Sequence, residues 1–293
     1  QIAELRKLDA RGQSSRLGQD VHAVLDDLRA KVPAKDFPAM VGRISFFVNA
    51  GIRFVTEICK MRAFVEMWDE LCQTRYGITE ERHRRFRYGV QVNSLGLTEQ
   101  QPENNVARIL IEMLAVTLSK NARARAVQLP AWNEALGLPR PWDQQWSLRM
   151  QQILAYETDL LEYADIFDDN PAIAAKVAAL KASALEELAQ IDAMGGAVAA
   201  IPHMKSRLVE ANSDRLGRIE RGEQVVVGVN RYREAEPSPL TAGIDSIFTT
   251  DPAAEADQIT RLHTWRAERD GVAVNRALLR LREAALSGEN IMP

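Results

Sequence analysis

The sequence predicts an α/β fold in which short parallel strands alternate with helices before the chain turns mostly helical. Three observations predict it. Apolar runs rich in aromatic and β-branched residues recur at 43–48, 88–92 and 124–129. Between them lie stretches of helical length with apolar residues three and four positions apart, and such alternation makes βα units whose strands pair in parallel. After Asp168 the composition shifts to Ala, Leu, Lys and Glu at helical spacing.

Each element has its own signal. Residues 1–31 carry Ile2, Leu5 and Leu8, then Val21, Val24, Leu25 and Leu28, with Gly12, Ser14 and Ser15 between, which predicts two helices closed by Pro33 and Pro38. The run 43–48 follows as a strand, and 52–74 as a helix with Phe54, Ile58, Met61, Phe64, Val65, Trp68 and Leu71 on one side. Tyr88–Val92 is the second strand, 97–105 a polar loop, 106–120 a helix and 124–129 the third strand, stopped by Pro130. Beyond 168, helices are expected at 172–194, with Gly195 and Gly196 as their stop, at 203–221, 253–270 and 272–287. The β-branched run 224–229 reads as a strand and 234–246, with Pro237, Pro239 and Gly243, as a loop. The expected division is 1–40 as N-terminal helices, 41–168 as the strand-bearing part and 169–293 as a helical region.

Composition narrows the function. With 46% hydrophobic and 26% charged residues over 293 positions, the chain has the balance of a soluble globular protein. A net charge of −3 gives no field that would gather nucleic acid or an acidic membrane, and no apolar run approaches the roughly 20 residues that span a bilayer. Cys59 and Cys72, in apolar helical patterns without CxxC spacing, read as core thiols and point to the cytoplasm. His22, His83, His203 and His263 are scattered beside polar neighbours, so no metal site is expected. The basic run Arg82–Arg87 reads as a solvated helix end rather than a phosphate patch. Gln1 in place of an initiator Met suggests a piece of a longer chain.

Five blocks carry a resemblance. They are Arg43–Phe54 (RISFFVNAGIRF) with Glu57–Ala63 (EICKMRA), Gln91–Asn105 (QVNSLGLTEQQPENN), Asn133–Pro139 (NEALGLP), Met194–Gly196, and Val226–Asn230 (VVGVN). In this order and spacing they resemble the methylmalonyl-CoA mutase family over about residues 21–293. Leu129–Asn133 and Ala164–Phe167 are closest to its ethylmalonyl-CoA branch. The resemblance implies the last three βα units of a (β/α)8 TIM barrel, followed by a helical region that leads toward a cobalamin-binding domain. It also implies an isomerase that rearranges the carbon skeleton of acyl-CoA thioesters such as ethylmalonyl-CoA or methylmalonyl-CoA with adenosylcobalamin.

Site residues follow from the same resemblance. Arg43 and Ser45 match positions that contact the CoA part of the substrate. On a strand they share a face with Phe47, the alternative being a structural ion pair beside ordinary core. Gln91 matches a glutamine at the end of the seventh strand, near substrate and deoxyadenosine, and is both the catalytic and a cofactor-binding candidate. Its amide donates and accepts without taking up protons, and its bland role is a loop glutamine bonded to backbone. Glu134 matches a glutamate that accepts from the adenosyl ribose, or is simply a first-turn acid of a helix. Gly89 stands where methylmalonyl-specific enzymes carry histidine, leaving room for a longer acyl chain. Pro130 replaces a family asparagine.

The resemblance further implies that the earlier barrel strands would precede residue 1, and that a domain with an Asp-x-His-x-x-Gly motif would follow Pro293. The family's carbonyl-contacting histidine would fall near Glu4, where there is none. The expected partners are the acyl-CoA substrate, a second copy or a complementing mutase chain, and a chaperone GTPase of mutases. Two rival readings are a non-catalytic paralogue serving as an interaction module and a CoA-thioester binder without radical chemistry.

Overall fold

The computed structural model describes residues 25, 29–239, 241 and 251–291. The helices expected within 1–31 lie almost wholly outside the described residues, as does part of the loop at 234–246. The chain forms two compact units, residues 1–247 and 248–293.

Three strands of the first unit make a parallel sheet in the order β1-β2-β3. Strand β1 is Phe46–Ala50, later than the expected 43–48. Helix α1 (Phe37–Val41) causes the delay. Its last carbonyls accept from the next three amides, Gly42 to Pro38, Arg43 to Met40 and Ile44 to Val41, at 2.9–3.0 Å. Those amides satisfy the helix end and are lost to a strand ladder. Arg43 therefore lies in a turn and Ser45 just ahead of the strand. Strand β2 is Tyr88–Val92, as the sequence predicts, and β3 is the shorter Ala126–Gln128.

Alternation along the strands separates two faces. Phe46, Val48, Ala50, Tyr88, Val90, Val92 and Val127 face the packed side. There they meet α2 (Phe54–Thr74), through Met61, and α4 (Asn104–Thr117), through Ile109, Met113 and Val116. Phe46 stacks on Phe86 with ring centroids 4.6 Å apart and meets Trp68 edge-on at 4.8 Å. Phe86 thus spends the end of the basic run in the core. The short helix α3 (Glu81–Arg84) holds Arg84 against Asp69 at 2.7 Å. The run is thus partly structural.

Helix α5 (Pro141–Tyr156), to which the sequence reading assigns no element, packs Met150 against Trp132, Val92 and Leu129. Helix α6 (Pro171–Ala193) is capped by Asn170, which accepts from Ala172 and Ile173, and it seats Ile173 and Val177 on Cys59 and Ala63 of α2. It stops at Gly195 and Gly196, with φ of 94° and 95°, where side chains are strained and glycine is not. Helix α7 (Ile201–Glu220) follows.

The expected strand at 224–229 is a turn. Asn230 captures it: Oδ1 accepts from Val226 N–H at 2.7 Å, while Nδ2 donates to Ile219 and Gln224 carbonyls at 2.8 Å. A local side-chain bond of this kind competes with strand pairing and wins here. In the second unit, Asp251 caps α8 (Pro252–Glu268) and Asp270 caps α9 (Gly271–Ser287). Among the described residues no helix is long and apolar enough to cross a membrane.

Candidate functional site

The second face of the sheet is open. It carries Phe47 and Asn49 from β1, Gly89 and Gln91 from β2, and Ala126 and Gln128 from β3. The register sets Phe47, Gly89 and Ala126 in one row and Asn49, Gln91 and Gln128 in the next. Phe47 is 60% exposed, and its ring lies over Gly89, where an added Cβ would stand 3.0 Å from two ring carbons. Phe47 thus fills the space that the missing side chain leaves. Of the candidates, Phe47, Gly89 and Gln91 come together on this face. Ser45 shares it at the strand's N-terminal entry. Arg43 does not join Gln91: it lies in the turn after α1, six residues before Asn49, the partner of Gln91, at the opposite end of the strand. Glu134 is exposed in the turn after β3, beyond the C-terminal ends of the strands, where barrel folds place their chemistry.

Two buried polar residues fix the loops after β2 and β3. Asn105, at the start of α4, donates through Nδ2 to the carbonyls of Thr98 and Trp132, both at 2.9 Å, and accepts Thr98 N–H at 3.0 Å. One amide thus ties the loop after Gln91 to the segment before Glu134. Asp143, fully buried on α5, accepts from Trp132 Nε1 at 3.0 Å, Asn133 Nδ2 at 2.9 Å and Arg140 N–H at 2.8 Å, with Arg140 Nε at 3.0 Å. Burial pushes its pKa up, but the hydrogen bonds from Arg140 and Asn133 and the Arg140 charge outweigh it and hold the carboxyl below its ordinary value. Glu134 hangs from a turn whose two preceding residues are pinned in this way.

Behind the strand ends, two glutamates are buried. Glu57 of α2 pairs with Lys60, whose Nζ also donates to the Asn49 carbonyl at 2.6 Å. Glu112 of α4 is 2% exposed and its Oε2 has no hydrogen-bond partner among the described residues. Burial, reinforced by the charge of Glu57 and only partly offset by Arg108, raises its pKa to about 8. The sequence reading missed Asn105, Glu112 and Asp143. A signal was there for Glu112, since Asn105, Ile109, Glu112 and Val116 share one helical stripe, as do Glu57, Met61, Phe64 and Trp68. A carboxylate on an apolar stripe marks a buried charge. Among the described residues no group of three or more His, Cys, Asp or Glu side chains is placed to hold a metal ion. Cys59 and Cys72 are buried and free, their thiol pKa values pushed up by burial, as core thiols should be.

Comparison with known proteins agrees with this architecture. Residues 33–293 match the family described as methylmalonyl-CoA mutase. The chain belongs to the methylmalonyl-CoA mutase family. It is 76% identical over 271 residues to ethylmalonyl-CoA mutase of Cereibacter sphaeroides, covering 92% of this chain and 42% of that protein. It is 64% identical over 275 residues to ethylmalonyl-CoA mutase of Methylorubrum extorquens, covering 92% of this chain and 40% of the relative. Human mitochondrial methylmalonyl-CoA mutase is 30% identical over 250 residues, 84% of this chain and 32% of its own length. The chain thus spans about two fifths of the length of the ethylmalonyl-CoA mutases it matches.

Proposed function

We propose that the chain supplies the last three βα units of a (β/α)8 barrel, within 41–168, and the helical region 169–293 of an adenosylcobalamin-dependent acyl-CoA mutase, with ethylmalonyl-CoA the favoured type of substrate. The reading is carried by the open sheet face. One face is packed on helices, while the other presents an ordered set of small, amide and aromatic side chains to space. Three parallel strands leave two raw edges, and further strands pairing along them would turn that face into a barrel interior.

In this reading Arg43 and Ser45, at the N-terminal entry, hold the CoA tail, and the thioester end reaches Gln91 near the other end of the strands. Phe47 and Gly89 shape the acyl space. The Gln91 amide orients the substrate without exchanging protons with it. The residues fit a hydroxyl-bearing adenosyl group: Glu134 is exposed at the strand C-terminal ends, and its carboxylate would accept from two vicinal hydroxyls. Adenosylcobalamin, when bound, supplies the radical chemistry; the chain's own residues bind, orient and shield.

The test mixes the chain with a polypeptide carrying the remaining barrel strands and cobalamin domain of an ethylmalonyl-CoA mutase. Adenosylcobalamin is titrated in, then ethylmalonyl-CoA, while the cobalamin spectrum is followed. A spectral change that depends on substrate and is lost in Gln91→Ala is expected. A complex that forms yet leaves the spectrum unmoved by substrate overturns the catalytic reading in favour of an interaction module.

A further inference from the structure

A cleft of 690 Å3 opens at the C-terminal ends of β1 and β2. Its walls are the turns after the two strands, including Arg53 and Leu95, and the α7 face carrying Arg215 and Arg218; Glu112 lines it as well. A Cβ on Gly96 would stand 3.8 Å from Glu112 Oε1, and one on Gly51 3.7 Å from Glu57 Oε1, so each glutamate lies beneath a glycine.

The charges here do not cancel. Arg218 is matched by Asp214 at 3.4 Å, and Glu223 is matched by Arg221 at 2.7 Å. Arg53 has no carboxylate partner among the described residues. Arg215 has none either and reaches only the Leu95 carbonyl, at 3.4 Å. Below them Glu112, buried and with Oε2 unbonded, is an orphaned polar group of the kind that calls for an explanation.

We propose that this cleft binds a small oxyanion, a carboxylate or a phosphate-type group, gripped by the guanidinium groups of Arg53 and Arg215 and receiving a hydrogen bond from a protonated Glu112. Guanidinium forks match both anion classes, and a carboxylic acid is the one carboxyl state that can donate to an anion. Glu112 keeps its proton at neutral pH for the reasons already given: burial and Glu57, against Arg108. The groups that bear on the anion are Glu112, the Glu57–Lys60 pair, Arg108, Arg53 and Arg215, with Arg218 and Glu223 paired to Asp214 and Arg221. Linkage works both ways. An anion in the cleft stabilises the protonated acid, and ionising the acid expels the anion. The proposal does not rest on the mutase reading.

Calorimetric titration of the full chain with sulfate and with acetate tests it, because neither probe changes charge between pH 6.5 and 9.5. Saturable binding is expected, weakening at least about tenfold across that range as Glu112 ionises. Preference for one probe tells a phosphate-type ligand from a carboxylate. Glu112→Gln keeps a donor and cannot ionise, so it should bind with the pH slope gone. Arg53→Ala, on an exposed group, and Arg215→Ala, on a half-buried one without a carboxylate partner among the described residues, should each weaken sulfate at pH 6.5 at least about fivefold. Absence of binding in the wild-type chain, a pH-independent affinity, or affinity unchanged in both arginine variants overturns the proposal.

Discussion

Replacing Asp143 with alanine should cost the protein about 4 kcal/mol, because the change strands several donors at once. The carboxylate accepts from Trp132 Nε1, Asn133 Nδ2 and the Arg140 backbone, and pairs with the Arg140 guanidinium, all within 3.0 Å and at zero exposure. Removing one partner of a buried charged pair costs roughly 3–5 kcal/mol, and each buried donor left unpaired roughly 1–3 kcal/mol. Arg140 can turn to water, which offsets part of the loss. The assay is urea unfolding at pH 7 for wild type, Asp143→Ala, Arg140→Ala and the double variant. A coupling of about 2 kcal/mol between the two positions is expected. Indole fluorescence should also shift, as Trp132 loses its acceptor. A cost under about 1 kcal/mol for Asp143→Ala would refute the claim that this carboxylate holds the Trp132–Glu134 turn.

Other outcomes follow from the same geometry. Glu112 has a folded pKa of about 8, above its ordinary 4.5, so its stabilising contribution is complete below about pH 4.5 and is lost as pH rises through 8. Unfolding at pH 6 and 9 should show a drop of roughly 2.7 kcal/mol from this group, about two pKa units' worth, absent in Glu112→Gln; equal pH slopes in the two proteins would sink the assignment. Gly89→Ala puts a Cβ 3.0 Å from the Phe47 ring. Because Phe47 is mostly exposed and can swing aside, the cost by thermal melting should stay under about 1 kcal/mol. In a complemented complex, Gly89→His should shift preference toward the smaller acyl group, and an unchanged ratio of kcat/KM values would count against the pocket reading. Cys59 and Cys72 should resist a thiol reagent until the chain unfolds, since burial disfavours both access and thiolate; rapid labelling of native protein would contradict their placement.

Much of the fold was legible wherever a local pattern and its tertiary use agree. Tyr88–Val92 emerged as written, for alternation there matches the two faces of a central strand. The stop at Gly195 and Gly196 was readable because positive φ leaves a compositional mark. Reading failed where hydrogen bonds rather than side-chain pattern decide. Amides 42–44 are taken by the end of α1, so β1 starts late. Asn230 folds 224–230 into a turn despite three consecutive valines. Helix α5 went unread although Trp142, Trp146, Met150 and Ile153 lie on one side of it. Of the candidate site, the face shared by Phe47, Gly89 and Gln91 was recoverable from period-two spacing and resemblance. Asn105 and Asp143 were not, because their partners, Trp132 for Asn105 and Trp132 and Asn133 for Asp143, are distant in sequence.

The Asn105 amide has a consequence for how such a protein can change. Because one side chain grips Thr98 on one side and Trp132 on the other, the segments bearing Gln91 and Glu134 travel as a single piece. A lineage acquiring a larger or smaller substrate cannot slide one of them alone without orphaning a buried amide. Variation is directed instead to mid-strand positions such as 89, where a residue is exchanged without disturbing either loop.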